Sequence, residues 1–339
     1  MEEKKKRKEI LILNVLKNSR DSLNSVRVAE ELASLGHDIS ERTVRLYLQK
    51  LIANGMANSN SNGKRGLSIT ERGLEELQSF HIIERVGFLS AKIDQLMYRM
   101  DFNLNTASGS VLINVTTVDP ARFAKNIPMI AKVYEQGYAM GHLLTFLGPG
   151  ESCGHIKIPE GMIGIGTVCS ITLNGVVLKH GIPVTSRFGG LLEMVDKKPS
   201  RFVEIIMYDG TSIDPLEIFI RSGMTNYLDV VTTGNGRVGA SFREFPAESL
   251  EAVQQLTGKL ARIGLGGLVK IGRPGQAVLD IPVSEGRVGA IVIGGLNPVS
   301  ILEETGVRAY SRAMAGVIDF NRLFRYEEME TRIREYLKP

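Results

Sequence analysis

Two arginines and a glutamine at helical spacing, Arg42, Arg45 and Gln49, stand in the segment ISERTVRLYLQKLIANGMANSNSNGKRGLSIT that runs from Ile39 to Thr70. Arginine presents a bidentate fork to guanine, and glutamine can do the same for adenine, so these residue types on one helix face suit the reading of base edges. Leu46 falls on or near the same face. Val44, Leu48, Leu51 and Ile52 recur on the opposite side and predict a packed stripe. Ser40 predicts the N-cap of this helix, and with Thr43 in the first turn it can bond phosphate. Lys64 and Arg65 lie at the tip of an Asn/Ser/Gly-rich hairpin, from which they would reach the neighbouring backbone or minor groove.

The elements that must hold this helix can be read on either side of it. Ile10, Leu13, Val15 and Leu16 mark an amphipathic first helix over residues 4–18. SVRVAEELASLG gives a short second helix, with Ser25 as its cap and Gly36 at its end. Gly55 stops the third helix. MANSNSNGKRGLSIT then reads as two short strands, and a further helix runs from Thr70 through Leu77. Three helices followed by a hairpin is the order of a winged helix-turn-helix, in which one helix enters a major groove about 12 Å wide.

Composition is consistent with that division. The 339 residues, 43% hydrophobic, suffice for two or three domains. Residues 1–80 carry 14 Lys+Arg against 11 Asp+Glu, and the other 259 carry 27 against 26. The basic excess is therefore concentrated in the front. Glycine has the opposite bias, with six of 36 before residue 108, so a helical front gives way to a turn-rich body. There is no run of eighteen apolar residues and no signal-peptide cleavage pattern, and two cysteines suit a reducing compartment, so a cytoplasmic protein without membrane contact is expected.

Residues 80–101, FHIIERVGFLSAKIDQLMYRMD, continue the helical habit. The stripe of Ile82, Ile83, Val86, Leu89, Ile93, Leu96, Met97 and Met100 must pack either on the body of its own chain or on the same helix of a second subunit. We expect a linker and dimerisation helix over 81–101. The body repeats itself: GMIG at Gly161 to Gly164 matches GRVG at Gly286 to Gly289, an offset of 125 residues (286 − 161). The same offset relates Gly150 to Gly275, Gly141 to Gly266, Gly181 to Gly306, and Ser186-Arg187 to Ser311-Arg312. The expected organisation is a winged helix over 1–80 and then a duplicated α+β domain over 102–325. Its halves would be 102–200 and 227–325, joined by a segment 201–226 that holds the strand-like RFVEIIMYDG and DPLEIFI. A C-terminal helix is expected over 326–339.

Catalytic patterns are absent. GNGRVG, Gly234 to Gly239, satisfies a dinucleotide fingerprint, but ASFREF after it alternates like a strand, where a pyrophosphate needs a helix N-terminus. A β-hairpin around Gly234-Asn235-Gly236 is the better reading. Five scattered histidines provide no catalytic set. Cys153, His155, Cys169 and His142 form the only conceivable metal set, and it is a weak one. We expect no catalytic residues, no metal and no cofactor.

RVGFLSAKIDQLMYRMDF, DGTSIDPLEIFIRSGMT, GNGRVGASFREFP and the repeated Ser-Arg elements resemble the archaeal nitrogen-regulation repressor family, NrpR, through nearly the whole chain. The resemblance implies a homodimer that binds a palindromic operator of nitrogen-assimilation genes and releases it when 2-oxoglutarate signals nitrogen shortage. Among relatives, some carry two effector domains and some lack the DNA head and act as partners, so a second repressor-family protein or basal transcription factors are further candidate partners. A small dicarboxylate needs cationic or amide-donor pockets. Arg187 and Arg312, at equivalent places in the two halves, could meet in one cleft, with Arg243 as a third candidate; ion-pair roles for all three are the alternative. Two other readings of the chain stay open, a co-repressor scaffold and an enzyme of unrecognised type with a DNA-binding appendage.

Overall fold

The computed structural model describes residues 2–19, 22–34, 37, 39–59, 66–84, 88–154 and 156–337. The chain forms two compact units, Met1–Val86 and Gly87–Pro339.

The first unit contains α1 (Glu2–Asn18), α2 (Ser25–Ser34), α3 (Glu41–Ala53), the antiparallel strands β1 (Ala57–Ser59) and β2 (Leu67–Ile69), and α4 (Glu71–Glu84). Leu23 bridges to Leu67 and adds a third strand position to the wing. Ile12, Leu13, Val28, Leu32, Val44, Leu51 and Leu77 are buried together in its core. Capping defines the helix ends. Ser40 Oγ accepts from the Thr43 amide at the start of α3, and Gly55, with φ 70°, takes the left-handed position that ends it. The cap of α2 is Asn24, whose Oδ1 accepts from the Arg27 amide at 2.9 Å. Ser25, expected in that role, is the first helical residue, and its hydroxyl donates to Glu41 at 2.7 Å, tying α2 to the start of α3. Gly36, the expected end of α2, lies outside the described residues.

The second unit opens with α5 (Phe88–Arg99) and contains two five-stranded antiparallel sheets. In chain order its elements are β3 (Ser110–Val118), α6 (Pro120–Glu135), β4 (Leu143–Leu147), the two-residue strands β5 (Ser152–Cys153) and β6 (Ile156–Lys157), β7 (Ile163–Val168), α7 (Ile171–Lys179), β8 (Thr185–Val195) and β9 (Lys198–Met207). Next come α8 (Pro215–Arg221) and α9 (Tyr227–Thr233). The repeat then runs β10 (Gly236–Pro246), α10 (Leu250–Arg262), β11 (Leu268–Ile271), β12 (Arg287–Ile293), α11 (Asn297–Glu304), β13 (Tyr310–Asp319) and β14 (Phe324–Arg325).

The duplication is visible in the backbone. Gly161 and Gly286 have φ 74° and 69°, Gly150 and Gly275 have 80° and 67°, and Gly181 and Gly306 have 77° and 73°. Each pair keeps a turn that a side chain would strain. The halves do not fold separately, however. One sheet has the order β11-β12-β10-β8-β9 and the other β13-β3-β7-β4-β14, so β8 leaves the first half to pair with β10, and β13 leaves the second to pair with β3. Each exchanged strand covers an edge that the other half would expose. The boundary expected at 200/227 therefore divides the sequence but not the sheets.

Three other expectations differ from the structure, and a fourth falls partly outside the described residues. DPLEIFI is the helix α8, because Asp214 accepts from the Leu216 amide and Pro215 occupies the first turn. No hairpin surrounds Gly234. LDVVTT lies in α9, Gly234 is its left-handed C-cap at φ 81°, and the chain passes straight into β10. Of the helix expected over 81–101, residues 81–84 end α4 and Phe88–Arg99 form α5, and residues 85–87 between them lie outside the described residues. Leu89, Ile93, Leu96, Met97 and Met100 pack into the core of the second unit of the same chain, whereas the side chains of Ile82, Ile83 and Val86 lie outside the description. The C-terminal stretch is not one helix either. It breaks into the 3-10 turn Tyr326–Glu328, the short helix α12 (Met329–Arg332) and the 3-10 turn Ile333–Tyr336.

Buried polar side chains close the gaps that the helices leave. Asn297, fully buried at the start of α11, donates from Nδ2 to the carbonyls of Tyr138 and Gly239 at 3.0 and 2.9 Å. Thr172 does the same for Leu112 in the other half. Asn297→Ala should lower the free energy of unfolding by about 1–3 kcal/mol, since it strands the Tyr138 carbonyl and leaves that of Gly239 only the Gly294 amide at 2.8 Å. A urea melt showing a loss below about 1 kcal/mol would mean that another group satisfies the Tyr138 carbonyl.

Candidate nucleic-acid interface and effector cavities

The buried face of α3 consists of Val44, Leu48 and Leu51. Arg42, Arg45, Leu46 and Gln49 are exposed, Leu46 at 65%. Ile52, expected on the packed face, is 41% exposed. Eight residues beyond Val44 is about 80° around the helix, at the margin of the stripe. Arg45 Nη2 meets Glu41 at 2.5 Å on the surface. The Ser25 hydroxyl and then Arg45 hold the Glu41 carboxyl below its ordinary range. An exposed pair of this kind contributes little to stability, so Arg45 can leave it at small cost. Lys50 pairs at 2.6 Å with the buried Glu9 of α1 and fixes the far end of α3. Lys64 and Arg65 lie outside the described residues.

In the body, both Ser-Arg motifs sit at β-bulges. Ser186 faces Arg243 and Phe188 faces Phe242, so Arg187 is the extra residue of β8. In β13, Arg312 faces Val115 and Gly316 faces Ile113. Bulges re-aim side chains out of the ladder. Beside the second bulge Met314 has φ 49°, a strained conformation for a residue with a side chain; its amide donates to Asn114 Oδ1 at 3.1 Å.

The two arginines are not brought into one cleft. Arg187 lines a cavity of about 560 Å³, where its Nη1 donates to Glu244 at 2.7 Å and to the Pro282 carbonyl at 3.1 Å. Arg312 lines another, of about 270 Å³, with Lys92 of α5 and Arg221 of α8. The two strands that carry them, β8 and β13, belong to different sheets. Glu217 balances the smaller cavity: it accepts from the Ala313 amide at 2.6 Å and meets Arg221 at 3.1 Å and Arg312 at 3.5 Å. Arg243 reaches neither cavity. It is fully buried, with Nη1 donating to Ser186 and Nη2 to Ser170, Nε is without a partner, and burial pushes its pKa down. One helix, α5, borders both cavities, with Ile93 and Asp94 on the larger and Leu89 and Lys92 on the smaller.

Burial pushes the Cys153 thiol up and the Cys169 thiol up to about 11. Among the described residues no group of His, Cys, Asp or Glu could hold a metal ion, and His155 lies outside them. No helix among the described residues is long and apolar enough to cross a membrane.

The family model of NrpR regulatory domains NRD1 and 2 matches residues 86–325. The chain belongs to the NrpR family. A model of the ribonuclease R winged-helix domain matches residues 10–77, the unit that carries α3. The chain is 34% identical over 93% of its length to the global nitrogen regulator NrpRI of Methanosarcina mazei, covering 96% of that protein. It is 30% identical to the global nitrogen regulator NrpR of Methanococcus maripaludis over 89% of its length, but spans only 52% of that longer relative. A crystal structure of a nitrogen repressor-like protein from Methanococcus jannaschii superposes with a TM-score of 0.59 at 26% identity, over 70% of this chain and 97% of that one. A winged helix followed by NrpR regulatory domains is the build of a nitrogen-regulation transcriptional regulator.

Three cations of this NrpR chain that line the cavities were not singled out by sequence reasoning. Arg221 was hidden by reading DPLEIFI, which ends one residue before it, as strand, Lys92 by assigning its helix to dimerisation, and Arg287 by treating GRVG only as a repeat marker. A helical reading of DPLEIFIR, with its Asp-Pro start, would have placed Glu217 and Arg221 one turn apart.

Asp214 lines the smaller cavity, and burial, followed by the nearby Glu217 charge, pushes its pKa from 3.8 up to about 6. Between those values the folded chain holds more protons at this site than the unfolded one. The contribution of Asp214 therefore favours folding as pH falls toward 4 and turns against it as pH rises through 6. Asp214→Asn, which can still cap α8, should raise the melting temperature relative to the parent at pH 7.5 and much less at pH 4.5. A difference that is the same at both pH values would contradict the raised carboxyl.

Proposed function

We propose that the chain is a transcriptional repressor of nitrogen-assimilation genes that binds a palindromic operator as a homodimer and leaves it when 2-oxoglutarate occupies the body. The observation that carries this reading is the position of α5. It is the first element of the body after the winged-helix unit, and it supplies Lys92 to the cavity that holds Arg312 and Arg221. The names of the relatives, global nitrogen regulators and a nitrogen repressor-like protein, support the same reading.

At the head, Arg45 and Gln49 are the base readers, with Arg42 and Leu46 beside them. Ser40, Thr43, Lys64 and Arg65 serve the phosphates. In the body, three cations around a 270 Å³ cavity oppose the two carboxylates Asp214 and Glu217, which leaves it net positive and suited to a dicarboxylate. Arg187 keeps Glu244 and Arg243 keeps two serine hydroxyls, so Arg312 is the direct contact and those two act in support. A dicarboxylate there draws on Lys92 and shifts α5, and through the connecting chain the spacing of the heads.

Arg45→Ala should cost about 1–3 kcal/mol at the operator and little on random DNA, whereas Lys64→Ala should weaken both and flatten the salt dependence. Gel-shift titrations across salt concentrations check this, and equal losses for both variants on both DNAs would reverse the assignment. Footprinting should show inverted half-sites about 34–36 Å apart. Arg312→Ala should bind the operator as the parent does without 2-oxoglutarate and fail to release it when the effector is added. Release at parental concentrations would remove the effector from this cavity.

A further inference from the structure

The larger cavity has chemistry of a different kind. Its own arginine pair is half used: Arg187 is neutralised by Glu244, but Arg287 Nη1 is buried and has no hydrogen-bond partner. Arg287 is rigidly held, its amide donating to the Ser284 carbonyl at 3.1 Å and its carbonyl accepting from Gly275 at 2.9 Å. Asp94 on α5 and Asp209 after β9 line the same cavity. With Arg187 and Glu244 cancelled, one cation remains with two carboxylates. Ile93, Met97, Val184 and Met207 supply apolar wall between them.

The duplication provides an internal control. Arg287 corresponds to Met162 at the offset of 125 residues (287 − 162). Glu244 faces Gly289 where Thr117 faces Gly164 in the other half, and Arg243 faces Ala290 where Thr116 faces Ile165. The same backbone is thus built in one half with methionine and two threonines. Charge at 244 and 287 is not what this fold requires, and both residues line this one cavity.

We propose that this cavity binds a small α-amino acid with an uncharged side chain, its carboxylate on Arg287, its ammonium between Asp94 and Asp209, and its side chain against Ile93, Met97 and Met207. A dicarboxylate would set a second negative charge against those two aspartates. The site is separate from the Arg312 cavity, so it stands or falls apart from the 2-oxoglutarate reading. Because Asp94 lies on α5, occupancy would bear on the same helix and give the regulator a second input.

The full chain should be screened against the twenty standard amino acids at about 10 mM by thermal shift, with hits measured by calorimetry. At least one amino acid with an uncharged side chain should bind. Its counterparts lacking the amino group or the carboxylate should bind about tenfold more weakly or worse. Arg287→Met, the residue the other half already uses, should reduce binding about tenfold or more, as should Asp94→Asn combined with Asp209→Asn at exposed positions. Operator binding by each variant reports that it has folded. The proposal fails if no amino acid binds, if the deaminated acid or a dicarboxylate binds as well as the amino acid, or if the aspartate variants bind like the parent. Loss of 2-oxoglutarate response in Arg312→Ala alone would leave it untouched.

Discussion

The pairing of β8 with β10 and of β13 with β3 is the constraint on which the body depends. Two copies of one unit, each closing its own sheet, would have been independent, with matching sites. Because each copy instead gives a strand to the other, the core is continuous, from Val111 and Ile113 through Phe242 and Ile291. Each exchanged strand crosses into foreign neighbours, and its bulge comes at the Ser-Arg motif. Arg187 is thereby turned out of its ladder and Arg312 stands at the last paired position before its bulge, each lining a cavity of its own. The connecting segment has its place for the same reason: α8 packs near both exchanged strands, and Glu217 on it holds the Ala313 amide of β13.

Much of this was legible in the residues. Apolar spacing gave α3 its buried face, Ser40 its start and Gly55 its end, since these signals are local. The repeat was legible because left-handed turns favour glycine, so equivalent turns in the two halves carry it at the same offset of 125 residues. Strand exchange was not, because β8 and β10 have the same alternation whichever strand they pair with; register is set by long-range contact. DPLEIFIR was misread because its apolar run fits strand or helix equally, and only the Asp-Pro start decides between them. Arg243 looked like a ligand residue by type. Its complete burial against Ser170 and Ser186 depends on three segments far apart in sequence.

The same geometry gives α5 its significance. Its inner face is core, and Leu89, Ile93, Leu96 and Met97 would hold it still in a chain that had nothing to transmit. Yet its flanks carry Lys92 and Asp94 into two cavities of different charge balance. A ligand in either would act on a packed element that has few ways to yield, and packed elements move between discrete positions rather than deforming.

In the proposed repressor, a small dicarboxylate in the body and DNA on the head are linked through one chain. Linkage is reciprocal, so the most direct test is calorimetric titration of 2-oxoglutarate into the full chain with and without saturating operator DNA. The operator should weaken 2-oxoglutarate binding by the same factor by which 2-oxoglutarate weakens operator binding, about 5- to 150-fold. Equal 2-oxoglutarate affinity with and without the operator would contradict it.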